Sequence, residues 1–258
     1  MSHRDYAGCA IPPLVHDIGF GWDPRPEIER LLFVARQAGV EPGSGLELGC
    51  GTGRLVQGLQ SFVPDVVALD LSPTAVAYAQ PRCDAEVCVG DMSDFALDRR
   101  FDLIFASANT IRHVCADDDV RRMWNCIADH LEPGGVFVAD LELGFDAEAE
   151  KIGKPACWMI SRGIATVHVS WETIEPPSLE TRCCTIRWTF ESRDGEPVGK
   201  WSEAFPLRTY DAEEFMRLAT IAGRLRLSGL YEPRDPYLLE TPVGKAVGRM
   251  LVALKLEE

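Results

Sequence analysis

Glu47-Leu48-Gly49-Cys50-Gly51-Thr52-Gly53-Arg54 decides the fold. Gly45 to Leu48 is a short apolar run that reads as a strand, and the stretch from Arg54 to about Phe62 reads as a helix. Three glycines at alternate positions between a strand and a helix let the backbone turn tightly and come close to a ligand. Outward from this turn the same alternation repeats. Val66 to Leu69 is a buried strand ending at Asp70, and Ser72-Pro73 starts a helix through about Gln80. Ala85 to Val89 is a third strand before Gly90-Asp91, Phe101 to Phe105 a fourth, and Val136 to Ala139 a fifth. Val120, Met123, Trp124, Ile127 and Leu131 mark an amphipathic helix stopped by Pro133-Gly134-Gly135. Continuously apolar strands separated by helices imply a parallel sheet covered on both faces, with right-handed crossovers.

Upstream, Asp23 is placed to cap a helix with Pro24 in its first turn and Ile28, Leu31, Leu32 and Ala35 on one face, ending at Gly39. Beyond Gly144 the pattern changes. Val167, Val169 and Trp171 alternate with polar residues, as do Cys184, Ile186, Trp188 and Phe190. Asp194-Gly195 signals a hairpin, and Trp201 and Phe205 continue a third strand. This is an antiparallel sheet with one apolar face. Asp211 and Glu214 then form a capping box for a helix bearing Phe215, Leu218, Ile221 and Ala222, closed by Gly223. Leu225 to Tyr231 and Val247 to Leu254 are the last two strands.

The expected architecture is therefore α/β, a Rossmann-like, seven-stranded, mostly parallel sheet with helices on both faces and an antiparallel sheet inserted after strand five. One domain over 1–258 divides into an N-terminal helical lid (1–40), a cofactor-binding core (41–144), the inserted sheet (145–206), as substrate cover or dimer contact, and core completion (207–258).

The 258 residues can bury a full core without metal or disulfide staples. Lys and Arg number 26 against 40 Asp and Glu, a net charge of −14, which disfavours a phosphate backbone or an anionic membrane as partner. No apolar run is long enough to span a membrane, and no secretory signal is visible at Met1 to Tyr6. Nine scattered cysteines without a C-x-x-C pair point to reduced thiols, a cytoplasmic location and no structural zinc.

A dinucleotide fingerprint would carry its third glycine where Arg54 stands. With Gly53 instead, and Glu47 two positions before the first glycine, the stretch resembles the first motif of the class I S-adenosylmethionine-dependent methyltransferases, E-x-G-x-G-x-G. Asp70 at the end of strand two, Gly90-Asp91-Met92, Phe101 to Phe105 and Leu131 to Gly135 resemble that family's later motifs, in order. The resemblance implies S-adenosylmethionine as cofactor. Glu47 would face its amino-acid part, with Gly49, Cys50, Gly51 and Gly53 as the turn. Asp70, with Leu71, would take the ribose, Asp91 and Met92 the adenine, and Ser107 and Asn109 would follow strand four beside the cofactor. No metal is implied. Asp102, at the opposite end of its strand, reads as structural.

An amine must be neutral to attack a methyl group and a hydroxyl should lose its proton, so a base is useful. His113, on the rim loop after strand four, is the candidate, with packing under the next helix as the alternative. His168 on the insertion, and Tyr6, Trp22 and Arg25 near the N-terminus, are candidate substrate contacts. His3, His16 and His130 have no supporting context. The N/D-P-P-Y/F motif of DNA and protein-glutamine methyltransferases is absent, and Ser107-Ala108-Asn109-Thr110 stands in its place. The insertion resembles, in architecture alone, small-molecule N-methyltransferases of the glycine and amino-sugar type. It carries Trp158, Trp171, Trp188 and Trp201, as core or as pocket lining. The expected activity is methyl transfer to N or O of a small molecule by direct displacement, in a chain free to form a homodimer. The alternatives are a catalytically silent cofactor-binding regulator and an NAD(P)-dependent oxidoreductase.

Overall fold

The computed structural model describes residues 11–144, 151–220, 223–234 and 237–257. Tyr6, Ile221 and Ala222 lie outside them.

Two helices lead in: α1 (Pro13–Gly19) and α2 (Arg25–Gln37). The sequence reading missed α1, although Pro13 at its first position and the buried pair Val15 and Ile18 are its local signals. Helix α2 starts later than expected. Pro24 is its N-cap, and Asp23 accepts from the Arg25 N–H at 2.9 Å. Gly39, at φ +79°, follows it.

The α/β core follows as β1 (Ser44–Leu48), α3 (Arg54–Leu59), β2 (Asp65–Asp70), α4 (Pro73–Ala79), β3 (Glu86–Val89), β4 (Phe101–Ala106), α5 (Asp117–His130) and β5 (Leu131–Leu143). Strand β5 runs straight through Pro133-Gly134-Gly135, so α5 ends at His130, before that signal. A second sheet follows, of β6 (Ala156–Arg162), β7 (Ala165–Glu175), β8 (Cys183–Asp194) and β9 (Gly199–Arg208). The chain returns to the core with α6 (Ala212–Thr220), β10 (Leu225–Arg234), β11 (Tyr237–Glu240) and β12 (Gly248–Leu256).

The main sheet has the order β11-β10-β12-β5-β4-β1-β2-β3. Its β3 to β5 portion is parallel, and β12 runs antiparallel to β5. Eight strands replace the expected seven. The extra one, β11, folds back antiparallel on β10, and its short, largely exposed run carries little periodicity to read. The second sheet is antiparallel and has four strands rather than three. Strand β6 went unseen because it is an edge strand, exposed along much of its length.

One core cluster packs Leu46, Ile104 and Phe137 against Trp124 of α5 and Phe215 of α6. The other packs Leu103, Phe105 and Val138 against Ile28 of α2, Leu59 of α3 and Val76 of α4. Asp102 accepts from the Gly43 and Ser44 N–H groups at 2.9 Å each, the structural role its position suggested. The capping box at α6 is half formed. Asp211 accepts from the Glu214 N–H at 2.7 Å, while the Glu214 carboxylate pairs with Arg182 and with Arg208 at 3.1 Å. Among the described residues no helix is long and apolar enough to cross a membrane.

Candidate active site

The crevice lies at the C-terminal ends of β1, β2 and β4, where the strand order reverses around β1. The glycine turn is tied to β2: the Gly49 and Cys50 N–H groups donate to the Leu69 carbonyl at 2.7 and 2.9 Å. Gly49, Gly51 and Gly53 all have positive φ. A Cβ on Gly49 would stand 2.2 Å from the Thr110 methyl, and one on Gly53 would stand 2.8 Å from the Cys83 sulfur. At Gly51 the nearest group among the described residues is His16 Cε1 at 3.9 Å, an ordinary contact, so a Cβ there meets no clash with them.

Asp70 accepts from the Gly51 N–H at 2.7 Å through Oδ2 and from the Ser72 N–H at 2.8 Å through Oδ1. Each oxygen retains acceptor capacity for a hydroxyl. Burial raises its pKa, and the two backbone donors oppose that rise. Glu47 is 3% exposed, and its Oε2 has no partner among the described residues. Burial pushes its pKa up to about 8, against the pull of Arg54. A buried carboxyl group with an unsatisfied oxygen beside the glycine turn, ionised once an ammonium stands next to it, and Asp70 on the same turn could hold a ligand carrying an ammonium and a ribose.

The other candidates take these positions. Met92 Cε is 3.5 Å from where a Gly49 Cβ would be, so the methionine lies over the turn. Asp91 accepts from the Ser93 N–H and hydroxyl at 2.8 Å each. Half-buried Leu71 follows Asp70 at the rim. Cys50 buries its thiol among the α2 and α3 side chains, and that burial raises its pKa well above the ordinary range. Its contribution to the turn is backbone. Ser107 lines a small cavity with Glu27, Arg30 and Asp140. The Asn109 side chain is engaged elsewhere: Oδ1 accepts from the Glu142 N–H at 2.6 Å, fixing the loop after β4 to β5. Thr110, not Asn109, is the loop residue that meets the glycine turn.

His113 ends a 3-10 turn and its ring lies 5.1 Å from that of Phe205 on β9. His168 is not brought to the crevice. It alternates with Val167 and Val169, which face α1, and is paired in register with Glu191 and Met159 on the other side of the second sheet. Arg25 is exposed on the first turn of α2. Trp22 packs 5.0 Å from the Arg54 guanidinium and donates its indole N–H to Glu27 at 2.5 Å.

The sequence reading set His16 aside, yet it faces the turn. Helix α1 packs between α4 and the apolar face of the second sheet. Its His16 ring lies 4.6 Å from Phe20, 5.8 Å from Phe190 and 6.0 Å from Trp188. Trp188 in turn meets Phe205 at 5.2 Å. An aromatic row thus joins His16 to His113. Burial lowers the His16 pKa to about 4, against the opposing pull of Asp17, so the ring is neutral at pH 7. Asp17 accepts from the Tyr78 hydroxyl at 2.9 Å and from Arg162 at 2.6 Å. Trp158 donates to the Gly19 carbonyl at 2.6 Å. Among the described residues no group of three metal-ligating side chains occurs.

Residues 46–135 match a family model described as a methyltransferase domain. The chain is 30% identical over 124 residues to a dTDP-3-amino-3,4,6-trideoxy-alpha-D-glucopyranose N,N-dimethyltransferase of Streptomyces venezuelae, covering 48% of this chain and 52% of that protein. It is 32% identical over 139 residues to a dTDP-3-amino-3,6-dideoxy-alpha-D-glucopyranose N,N-dimethyltransferase of Streptomyces fradiae, covering 53% and 54%. The matched regions thus span about half the length of these curated relatives. Among solved structures, Streptomyces venezuelae DesVI superposes with a TM-score of 0.76 at 24% identity, over 98% of both chains. The fold is shared throughout. Residues 46–135 thus resemble a methyltransferase domain, and the fold of the whole chain resembles that of DesVI.

Proposed function

We propose that this chain transfers a methyl group from S-adenosylmethionine to the amine nitrogen of a small molecule, with a nucleotide-linked amino sugar as the acceptor to test first. The observation that carries the reading is the rim itself. Glu47 Oε2, unpartnered among the described residues, and the doubly anchored Asp70 stand at the glycine turn, as an ammonium and a ribose diol require. The curated relatives act on dTDP-linked amino sugars, which favours nitrogen over oxygen. A net charge of −14 argues against nucleic acid as acceptor.

Bound S-adenosylmethionine supplies a methyl already made electrophilic by its sulfonium. The protein's part is to hold the acceptor nitrogen in line, about 3 Å from that carbon, and such positioning contributes roughly 7–11 kcal/mol. In this reading His113 takes the proton the amine must lose, and Phe205 fixes the ring's orientation. The described part of the N-terminal segment, residues 11–40, serves as a lid over the cofactor, and the aromatic face of the second sheet covers the acceptor. The thiols and the charge suit a cytoplasmic setting.

The test is incubation with labelled S-adenosylmethionine and dTDP-amino sugars, alongside their hydroxyl counterparts and a metabolite extract. Labelled N-methyl product is the expected result. Tight S-adenosylhomocysteine binding with no product from any acceptor would instead favour a silent binding protein. Tight NADH binding with no heat from S-adenosylhomocysteine would sink the assignment.

A further inference from the structure

The turn that carries His113 is held from β9 by two arginines that cross. Arg112, the residue before His113, is fully buried, and its Nε donates to the Arg208 carbonyl at 2.7 Å. Its Nη1 and Nη2 reach Asn109 Oδ1 at 3.4 Å and the Cys184 sulfur at 3.7 Å. Arg208, at the end of β9, returns the contact: its Nη1 donates to the Cys115 carbonyl at 2.8 Å. One bond therefore lands on each side of His113. Phe205, earlier on the same strand, supplies the ring that lies against the imidazole.

A guanidinium only 2% exposed is a costly fastening for a strand, because an apolar side chain would seat β9 on the core without taking a charge out of water. Here the charge is met on two sides. Asp117 at the start of α5 accepts from Nη1 at 2.5 Å, and Glu214 of α6 accepts from Nη2 at 3.1 Å. The two hydrogens of Nη1 thus go to Asp117 and to the Cys115 carbonyl. We propose that Arg208 is a positioning residue for methyl transfer: it fixes the backbone on both sides of His113 and so sets where the imidazole stands relative to the acceptor amine. A base must come within hydrogen-bond reach of the proton it takes, and a misplacement of about 1 Å costs on the order of a hundredfold in rate. The planar fork of an arginine suits this task better than a lysine, because one nitrogen serves Asp117 and Cys115 while the other serves Glu214.

This inference rests on the proposed role of His113 in methyl transfer, and the test separates the two. Steady-state kinetics are measured on the full chain, with S-adenosylmethionine and the acceptor that gives labelled product, for wild type, Arg208→Met, His113→Ala and the double variant. Arg208→Met leaves Glu214 paired with Arg182, and Asp117 is 65% exposed, so neither carboxylate is stranded in the core. In Arg208→Met kcat should fall about ten- to hundredfold, with KM for both substrates and S-adenosylhomocysteine affinity within about threefold of wild type. In the His113→Ala background the same substitution should change kcat by less than about twofold, since it acts through His113. Arg208→Lys should recover part of the lost kcat, and it carries the cycle if Arg208→Met does not fold. An equal fall in both backgrounds, a change confined to KM, or an unchanged kcat overturns the positioning role and leaves methyl transfer standing. Full kcat in His113→Ala overturns the base and this inference with it, but not methyl transfer. No methylated product from wild type with any acceptor overturns all three.

Discussion

Arg162 on an edge strand of the second sheet reaches Asp17 on the first helix at 2.6 Å, across 145 positions of sequence. The same carboxylate accepts from Tyr78 at 2.9 Å and Thr52 at 3.4 Å. One side chain therefore links the second sheet, α1, α4 and the glycine turn. Arg162 is 48% exposed and Asp17 15%. Arg162→Ala should accordingly cost less than about 1 kcal/mol in urea unfolding, as expected of a partly solvated ion pair. Asp17→Ala strands two further donors and should cost about 1–3 kcal/mol. Equal losses would contradict the linking role of Asp17.

Asp70 supplies a second measurement. If its carboxylate takes ribose hydroxyls, Asp70→Ala should weaken S-adenosylhomocysteine binding by roughly 1.5–3 kcal/mol in calorimetry. Unchanged affinity would contradict the assignment.

Glu47 makes binding pH-dependent. Its pKa in the ligand-free fold is about 8, so it is largely protonated at pH 7. An ammonium beside it favours the ionised form, so binding should release a proton, and affinity for S-adenosylhomocysteine should climb between pH 6 and 8. Calorimetry at pH 7 in buffers of different ionisation heat reads the released proton directly. Glu47→Gln should bind more weakly and release none.

His16 makes stability, rather than binding, depend on pH. Its pKa falls from the model-peptide 6.5 to about 4 in the fold, so the unfolded chain binds the proton more readily. Its stabilising contribution is complete above pH 6.5 and is lost as pH drops through 4. The loss is on the order of 3 kcal/mol. Unfolding followed from pH 7 to 4 should be less steep for His16→Phe, and an identical pH dependence in the variant would exclude His16 as its source.

Gly51→Ala and Gly49→Ala should differ. Both positions have positive φ, but a Cβ at 49 meets the Thr110 methyl at 2.2 Å, whereas at 51 the nearest group among the described residues is His16 at 3.9 Å. Gly51→Ala should therefore fold, with a loss of about 1 kcal/mol, and lose cofactor affinity by adding a methyl to the face of the turn. Gly49→Ala should be the more destabilised in thermal unfolding.

The glycine turn, the acidic residue near the end of each of the first two strands, and the change to period-two alternation near residue 165 are local properties, and the chain alone stated them. Strand period, turn chemistry and capping depend on neighbours a few residues away, and these were legible for the same reason. The edge strands β6 and β11 were not, because largely exposed strands lack the apolar pattern that marks a buried one. Side-chain roles went further astray. His168 looked placed for substrate and faces away, Asn109 spends its amide on β5, and His16, without apparent context, stands at the turn. Sequence by itself determined where the backbone makes its glycine turn. Only the tertiary structure decided which polar atoms end there buried and unpaired, because that depends on α1, α2 and the second sheet packing against the turn, across separations that local pattern does not encode.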